Sequence, residues 1–366
     1  MASAAAEASS TRAAILAVLR ALPADESQAE RAVSSLPSTD ENWQRFVDQA
    51  TAHGVLGVMG PLLGRAPLPP DIRTEVERRL AVQSAWQLHA AASLERAVDA
   101  LTNAGVRACA LKGPALAERL YLHPEERPSM DIDLLIMPAD LPKASAALQA
   151  AGYAADDPAN AAYLLEHGHH LHFVQHGQPD IELHFHAYAG FGVILAASAL
   201  FERAREHRLR GQGTVLVPAA EDEFLYLSAH AAGHSFVRLL WLYDLKLLLR
   251  RDALDWAAVF DRAEAAGLAT AVAYTLRLLR DWLQVQVPQP NEREHLRVRL
   301  ADRLLAEVSR PSTPGPRDNL GGLLFTSMLC DRVSASGWLL QHHLLRTTRR
   351  RLQRLAPHLL PERWAG

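Results

Sequence analysis

Residues 108–136 read ACALKGPALAERLYLHPEERPSMDIDLLI, and their pattern decides the fold. At the end of the stretch, Asp131 and Asp133 alternate with Ile132, Leu134 and Ile136. Side chains of a strand alternate between its two faces, so both carboxylates point one way and the aliphatic residues point into a core. Two neighbouring carboxylates repel each other and cost desolvation unless a cation lies between them. A hard divalent ion such as Mg²⁺ takes oxygen ligands and commonly joins carboxylates to substrate phosphates. Upstream, Val106 to Leu111 reads as a short buried strand, Lys112-Gly113-Pro114 breaks it, and Ala115 to Tyr121 reads as one or two helical turns. A strand, a glycine turn and a helix start favour an anion through exposed N–H groups and the helix dipole. Lys112 adds a positive charge at the same spot. An Asp-x-Asp pair alone is a weak signal, because such pairs also sit on solvated strand edges. The order strand, Lys-Gly turn, helix, Asp-x-Asp strand is far more specific.

The next informative stretch is EHGHHLHFVQHGQPDIELHFH, residues 166–186. It reads as a β-hairpin, with strands over His170–Gln175 and Asp180–His186 and a turn at His176-Gly177-Gln178. On the second strand Ile181, Leu183 and Phe185 face one side; Asp180, Glu182, His184 and His186 face the other. Two-metal phosphoryl chemistry commonly uses a further acid to hold the metal that activates the attacking oxygen. Glu182 is the candidate, with Asp180 as an alternative that also reads as a solvated residue at the strand start. The histidines His167, His169, His170, His172, His176, His184 and His186 raise the question of zinc. Alternation along a strand does not by itself give a tetrahedral site, and no cysteines help. The expectation is that His184 supports the site and the other histidines are partly exposed.

A third stretch, residues 221–250, EDEFLYLSAHAAGHSFVRLLWLYDLKLLLR, reads as one long helix with acidic residues at its start and basic residues at its end. On it His230, His234, Arg238 and Trp241 run along one face, with Asp244 near that line. One reading is a solvated face with local pairing. The other is a wall of the active site, with Arg238 near phosphate or substrate and Asp244 orienting it. The spacing His230-x-x-x-His234 occurs in zinc proteases, but Ala231 stands where their catalytic glutamate follows the first histidine.

On these residues the chain resembles the uncharacterised nucleotidyltransferases of the polymerase-β-like superfamily. The likeness rests on Leu111-Lys112-Gly113, Tyr121, Arg127, Asp131-Ile132-Asp133-Leu134-Leu135 and Glu182-Leu183-His184. It extends to His230, His234, Arg238, Trp241, Asp244 and Asp255-Trp256, and covers roughly Trp43 to Leu283. A helix ending at His53-Gly54-Val55 fits it too. The resemblance implies transfer of a nucleotidyl group from an NTP, with ATP the expected nucleotide and Mg²⁺ or Mn²⁺ as cofactor. It implies Asp131, Asp133 and Glu182 as metal ligands and catalytic acids. Lys112, Gly113, His184, His230, His234, Arg238 and Asp244 would bind the nucleotide. Lys112 stands where the wider superfamily has a serine that helps hold the triphosphate. Two other readings stay open: a nucleotide-binding module without chemistry, and transfer of the γ-phosphate.

The chain has 366 residues, 49% hydrophobic and 22% charged, which is ordinary for a globular protein. A net charge of −3 gives no overall pull toward nucleic acid. Two cysteines, Cys109 and Cys330, exclude a disulfide scaffold and fit a reducing cytoplasm. No apolar run reaches the length needed to cross a bilayer. The expected class is α+β: a small mixed β-sheet core over residues 106–217, embedded in a mostly helical chain. Before it come a loose, helix-prone tail over 1–38 and a helical region over 39–105, with Asp40 as a helix cap. After it, residues 218–288 complete the active site and 289–366 form a C-terminal helical extension. In that extension residues 310–319 read as a Pro-rich loop and 337–358 as a basic helix. Phe191–Leu200 reads as helical, Arg203–Gly213 as a charged connection and Thr214–Val217 as a strand. The partners implied are an NTP and an acceptor of unknown identity; nucleic acid is not favoured.

Overall fold

The computed structural model describes residues 2–34, 39–156, 164–165, 168–211, 213–289, 298–299, 301 and 320–331. The Lys-Gly turn and both acid-bearing strands belong to one mixed sheet. Its strands are β1 (Cys109–Ala110), β2 (Asp131–Leu135), β3 (Ala154–Ala155), β4 (His170–Val174) and β5 (Asp180–His184), joined later by β8 (Arg205–Arg208) and β9 (Thr214–Val217). Their order across the sheet is β3-β4-β5-β2-β1-β9-β8. Strands β2 and β5 run parallel, with Asp131 opposite Asp180 and Asp133 opposite Glu182. The turn of the β4–β5 hairpin carries Gly177 at φ 72°, a left-handed conformation that favours glycine.

The sheet has an apolar core on each face. Ile132, Leu134, Ile181, Leu183 and Phe173 point to one side and pack with Leu94, Leu101, Ala144 and Leu148. Those partners lie on the long helix Pro70–Asn103 and the helix Leu141–Ala150. Leu135 points to the other face and joins the larger core formed by the helical region. The alternation in Asp131–Leu135 therefore places the acids toward the helices that follow the sheet. The fold is α+β, with the mixed sheet inside a largely helical chain.

Helices are numbered α1 (Ala2–Ala21), α2 (Glu26–Ser34), α3 (Asp40–Ala52), α4 (Leu56–Arg65), α5 (Pro70–Asn103), α6 (Pro114–Leu120), α7 (Leu141–Ala150) and α8 (Ala197–Phe201). They continue with α9 (Ala220–Gly233), α10 (Leu239–Arg251), α11 (Trp256–Ala266), α12 (Ala269–Leu283) and α13 (Leu320–Met328). Thr39 caps α3 in place of the expected Asp40: its side chain accepts from the Asn42 N–H, while Asp40 opens the helix. Asp255 caps α11 as its position before Trp256 suggests, accepting from the N–H groups of Ala257 and Ala258.

Four expectations need correction. Within 1–38, the described residues 2–34 are helical as expected but packed rather than loose. Ile15, Val18 and Leu19 of α1 are fully buried at helical spacing and join the larger core. The buried Lys246 ammonium donates to the carbonyls of Leu19 (2.6 Å) and Arg20 (2.7 Å), groups that a helix end leaves unpaired. Second, the hairpin strand stops at His184. His186–Gly190 (β6) pairs instead with Val193–Ala196 (β7) in a separate two-stranded sheet, so the apolar run expected to be helical begins as a strand. Third, the charged segment Arg205–Arg208 is an edge strand, because β9 offers it a partner and its side chains stay mostly in solvent. Fourth, residues 221–250 are two helices, α9 and α10. Ser235 and Phe236 between them adopt φ 54° and 50°. The buried Phe236 ring, packed 5.5 Å from Tyr274, holds that unfavourable backbone in place. The Pro-rich loop at 310–319, the basic helix at 337–358 and His167 lie outside the described residues.

Candidate functional site

The parallel register of β2 and β5 builds the site in rows. Asp133, Glu182 and His172 lie side by side across β2, β5 and β4, and His184 and His170 form the next row. All share one sheet face, because every second residue of a strand does. Asp133 is fully buried, whereas the side chains of Asp131 and Glu182 are 35% and 20% exposed. The acids thus form a pocket with a sealed floor and an open rim.

Lys112 reaches into this pocket from the turn between β1 and α6. Its Nζ lies 2.6 Å from Asp133 Oδ2 and 3.2 Å from Asp131 Oδ2. Burial alone would lower the lysine pKa, but Asp133, Asp131 and Glu182 outweigh it and raise the value. Gly113 makes the approach of this turn feasible. It sits at φ 75°, and a Cβ there would lie 3.2 Å from the Asp131 carbonyl. A side chain at this position would push the turn away from β2.

His184 ties the acids together from the other side. Its Nε2 lies 3.2 Å from Asp133 Oδ1 and 3.3 Å from Glu182 Oε2. Burial favours the neutral ring, yet these two contacts raise its pKa. Burial would raise the Glu182 pKa; the contact with His184 and the charge of Lys112 reverse this and bring it to about 2. His169 and His170 pack against His184 with ring centroids 5.3 and 4.9 Å away. Burial and the charge of His184 drive both down to about 3, so they are neutral at ordinary pH.

Helices α9 and α10 wall the pocket. Burial and the fields of Asp133, Glu182 and Asp131 raise the Tyr226 pKa, and its ring lies 6.2 Å from that of His230. Burial, Lys112 and His234 lower the His230 pKa. His230, His234 and Trp241 form one aromatic cluster, with ring centroids 4.5 to 5.2 Å apart.

Of the residues singled out by sequence, the structure joins Lys112, Asp131, Asp133, Glu182 and His184 in one ionic network, with Gly113 beside it. His230 and His234 stand along the wall. One pairing given by the sequence reading is replaced by another. Asp244 does not orient Arg238: it is fully buried and binds the Arg127 guanidinium with both oxygens at 2.9 Å, plus the Tyr121 hydroxyl at 2.6 Å. Arg238 is exposed at the start of α10, where its charge acts on His53. The break after Gly233 separates these residues from the stripe a single helix would have made. His53 occupies the last turn of α3 as expected, and its carbonyl accepts from the Leu240 N–H, fastening that break. Tyr226 is a functional-site candidate that sequence reading passed over, whereas the β4 histidines were weighed as zinc ligands and expected to be partly exposed. Tyr226 was within reach, since it lies one helical turn before His230.

The Asp133 carboxylate, with Lys112 and His184 on its two oxygens, and the part-open Asp131 and Glu182 give a set of hard oxygen donors around a charged pocket. That donor set suits Mg²⁺ or Mn²⁺. A family model described as "Uncharacterised nucleotidyltransferase" matches residues 39–284. No curated protein matches the chain. Among the described residues, no helix is long and apolar enough to cross a membrane.

Proposed function

The chain belongs to this uncharacterised nucleotidyltransferase family, and on that premise we propose that it moves a nucleoside monophosphate from an NTP, with ATP the expected donor, to an acceptor hydroxyl. Asp131, Asp133 and Glu182 would hold Mg²⁺ or Mn²⁺. When bound, such an ion neutralises phosphate charge and lowers the pKa of the attacking hydroxyl. The acceptor oxygen forms a bond to the α-phosphorus, the bond from that phosphorus to the bridging oxygen breaks, and pyrophosphate leaves with the electron pair. The hydroxyl proton passes to solvent. Positioning and charge neutralisation account for most of the catalysis in this chemistry.

The chain's own residues have defined tasks in this scheme. Lys112 supplies a cation at the pocket floor and meets the triphosphate. Gly113 lets the adjoining backbone approach it. His184 fixes the carboxylates of Asp133 and Glu182 in one orientation. His230, His234 and Trp241 give the nucleotide an aromatic wall. The observation that carries the reading is the register of β2 and β5, which sets Asp133 beside Glu182, with Lys112 drawn in against Asp131 and Asp133.

One observation favours a second reading, a nucleotide-binding module without chemistry: the Lys112 ammonium, 2.6 Å from Asp133 Oδ2, stands where a metal ion would meet that carboxylate. Incubation with NTPs labelled separately at the α- and γ-phosphates, in a cell extract, tests both. Transfer of α-label, lost in Asp131→Asn and Asp133→Asn proteins that still fold, is the expected result. Transfer of γ-label would establish kinase-like chemistry. Nucleotide binding with no label transferred would leave the module. Unchanged α-transfer in both variants would end the proposed acid roles.

A further inference from the structure

The histidines of β4 are not used by the scheme above, although they adjoin its acids. His170 and His172 lie on β4, directly across from His184 and Glu182 on β5. Their Nε2 atoms face each other at 2.9 Å. Glu182 turns one oxygen to each side: Oε2 lies 3.3 Å from His184 Nε2 and Oε1 3.8 Å from His172 Nε2. A ligand atom from each of His170, His172 and Glu182 falls within 4.8 Å of the other two. Two imidazoles and a carboxylate oxygen thus converge beside the pocket, not within its floor.

The chemistry of the convergence is selective. Mg²⁺ demands oxygen and keeps its waters, whereas imidazole nitrogen suits borderline transition ions such as Zn²⁺. Two histidines, one carboxylate and an open position make a recurrent zinc ligand set. A tetrahedral ion with bonds of about 2.0–2.1 Å sets its nitrogens roughly 3.3 Å apart, so the pair needs to open by only about 0.4 Å. The His172 side chain is 42% exposed, which gives an ion an approach from solvent. On His170 the other nitrogen, Nδ1, is buried without a hydrogen-bond partner among the described residues. No neighbour there fixes the tautomer, and a proton on Nδ1 leaves the Nε2 lone pair available to a metal.

We propose that His170, His172 and Glu182 form a transition-metal site, of the Zn²⁺ class, adjoining the acid pocket and sharing Glu182 with it. The two ions differ in hardness, so each half of the pocket selects its own. The inference is independent of nucleotidyl transfer, because metal uptake is read with no NTP present.

The test is equilibrium dialysis of the full-length, tag-free protein against Zn²⁺ in excess Mg²⁺. The wild type is expected to retain one Zn²⁺. His172→Ala and His170→Ala should each weaken uptake by about tenfold or more, with the far-ultraviolet circular dichroism unchanged. Asp131→Asn should retain the ion. Replacement by Co²⁺ should give the intense visible bands of nitrogen-rich, low-coordinate cobalt. If His170→Ala fails to fold, the part-exposed His172 position still decides the matter. Absence of Zn²⁺ uptake in the wild type, uptake unaltered in His172→Ala, or a weak octahedral cobalt spectrum would each overturn the proposal. Loss of label transfer in Asp131→Asn with zinc retained would separate this site from the acid pocket.

Discussion

Two charge clusters grow from the same stretch of chain and end with opposite characters. Arg127 and Asp244 form a matched pair: two hydrogen bonds of 2.9 Å join them, Tyr121 and Ser129 satisfy further atoms, and the side chains are 4% and 0% exposed. Lys112 belongs to an unmatched group in which its ammonium bonds Asp131 and Asp133, His184 meets Asp133 and Glu182, and two of the three carboxylates reach solvent. A sealed pair with every partner present has no capacity left for a ligand. A group with surplus acid and an open rim does. The difference teaches that burial of charge does not mark a functional site; incomplete pairing at an accessible edge does.

The largest effect expected from this contrast is on transfer. Asp131→Asn, at the open rim, should lower α-phosphate transfer by about a thousandfold or more, roughly 4 kcal/mol, while leaving the unfolding midpoint nearly unchanged. A midpoint that falls in step with activity would erase the distinction between the clusters. Asp244→Ala should do the reverse. It strands a buried guanidinium and should cost on the order of 3–5 kcal/mol of stability, read by urea unfolding.

Lys112→Met probes the unmatched group. Without metal, it removes the cation from a fully buried carboxylate and should destabilise the protein by about 1–3 kcal/mol. Saturating Mg²⁺ should then raise the midpoint more in the variant than in the wild type, since a ligand that binds only the folded state stabilises it. Equal Mg²⁺ shifts in both proteins would show that the ion does not meet these acids.

The smallest effect concerns Glu126, which lies one residue before Arg127. Burial and the neighbouring Glu125 raise its pKa from the usual 4.5 to about 7. The folded state therefore binds this proton more tightly than the unfolded chain. Its contribution to stability is complete below pH 4.5 and fades as the pH rises through about 7. Glu126→Gln should flatten that part of the stability profile, by on the order of 1 kcal/mol, and gain most above pH 7. A variant whose profile keeps the wild-type slope between pH 4.5 and 7 would assign the slope to other groups.

The parts of this picture that sequence reveals are those encoded locally. Asp131-Ile132-Asp133 and Asp180-Ile181-Glu182-Leu183-His184 state their own alternation, so strand faces and acids were legible. The Lys112-Gly113 turn was legible because glycine marks it. Pairing over long separations was not. Arg127 meets Asp244, and Arg119 meets Glu223, each across more than a hundred residues with no periodic signal. Residues 193–196 illustrate a second limit: a short apolar run fits a strand as well as a helix, and only its pairing with β6 decides. The break between α9 and α10 shows a third. Ser235 and Phe236 take a conformation their residue types disfavour, because burial of the phenyl ring outweighs local preference. Gly233 was the one local sign of a stop.

The seating of α1 against α3 and α12, with Lys246 on its last carbonyls, constrains how the molecule is assembled. Helix α1 meets α2 and α3 soon after it in the chain, but its contacts with α12 and Lys246 join it to residues more than 200 positions later, so its seat is complete only once those are made. An excised piece that starts at residue 39 would uncover the apolar side of α12 and leave the Lys246 ammonium facing empty space. Truncation boundaries for this protein therefore belong upstream of α1, not at residue 39 where the family match begins.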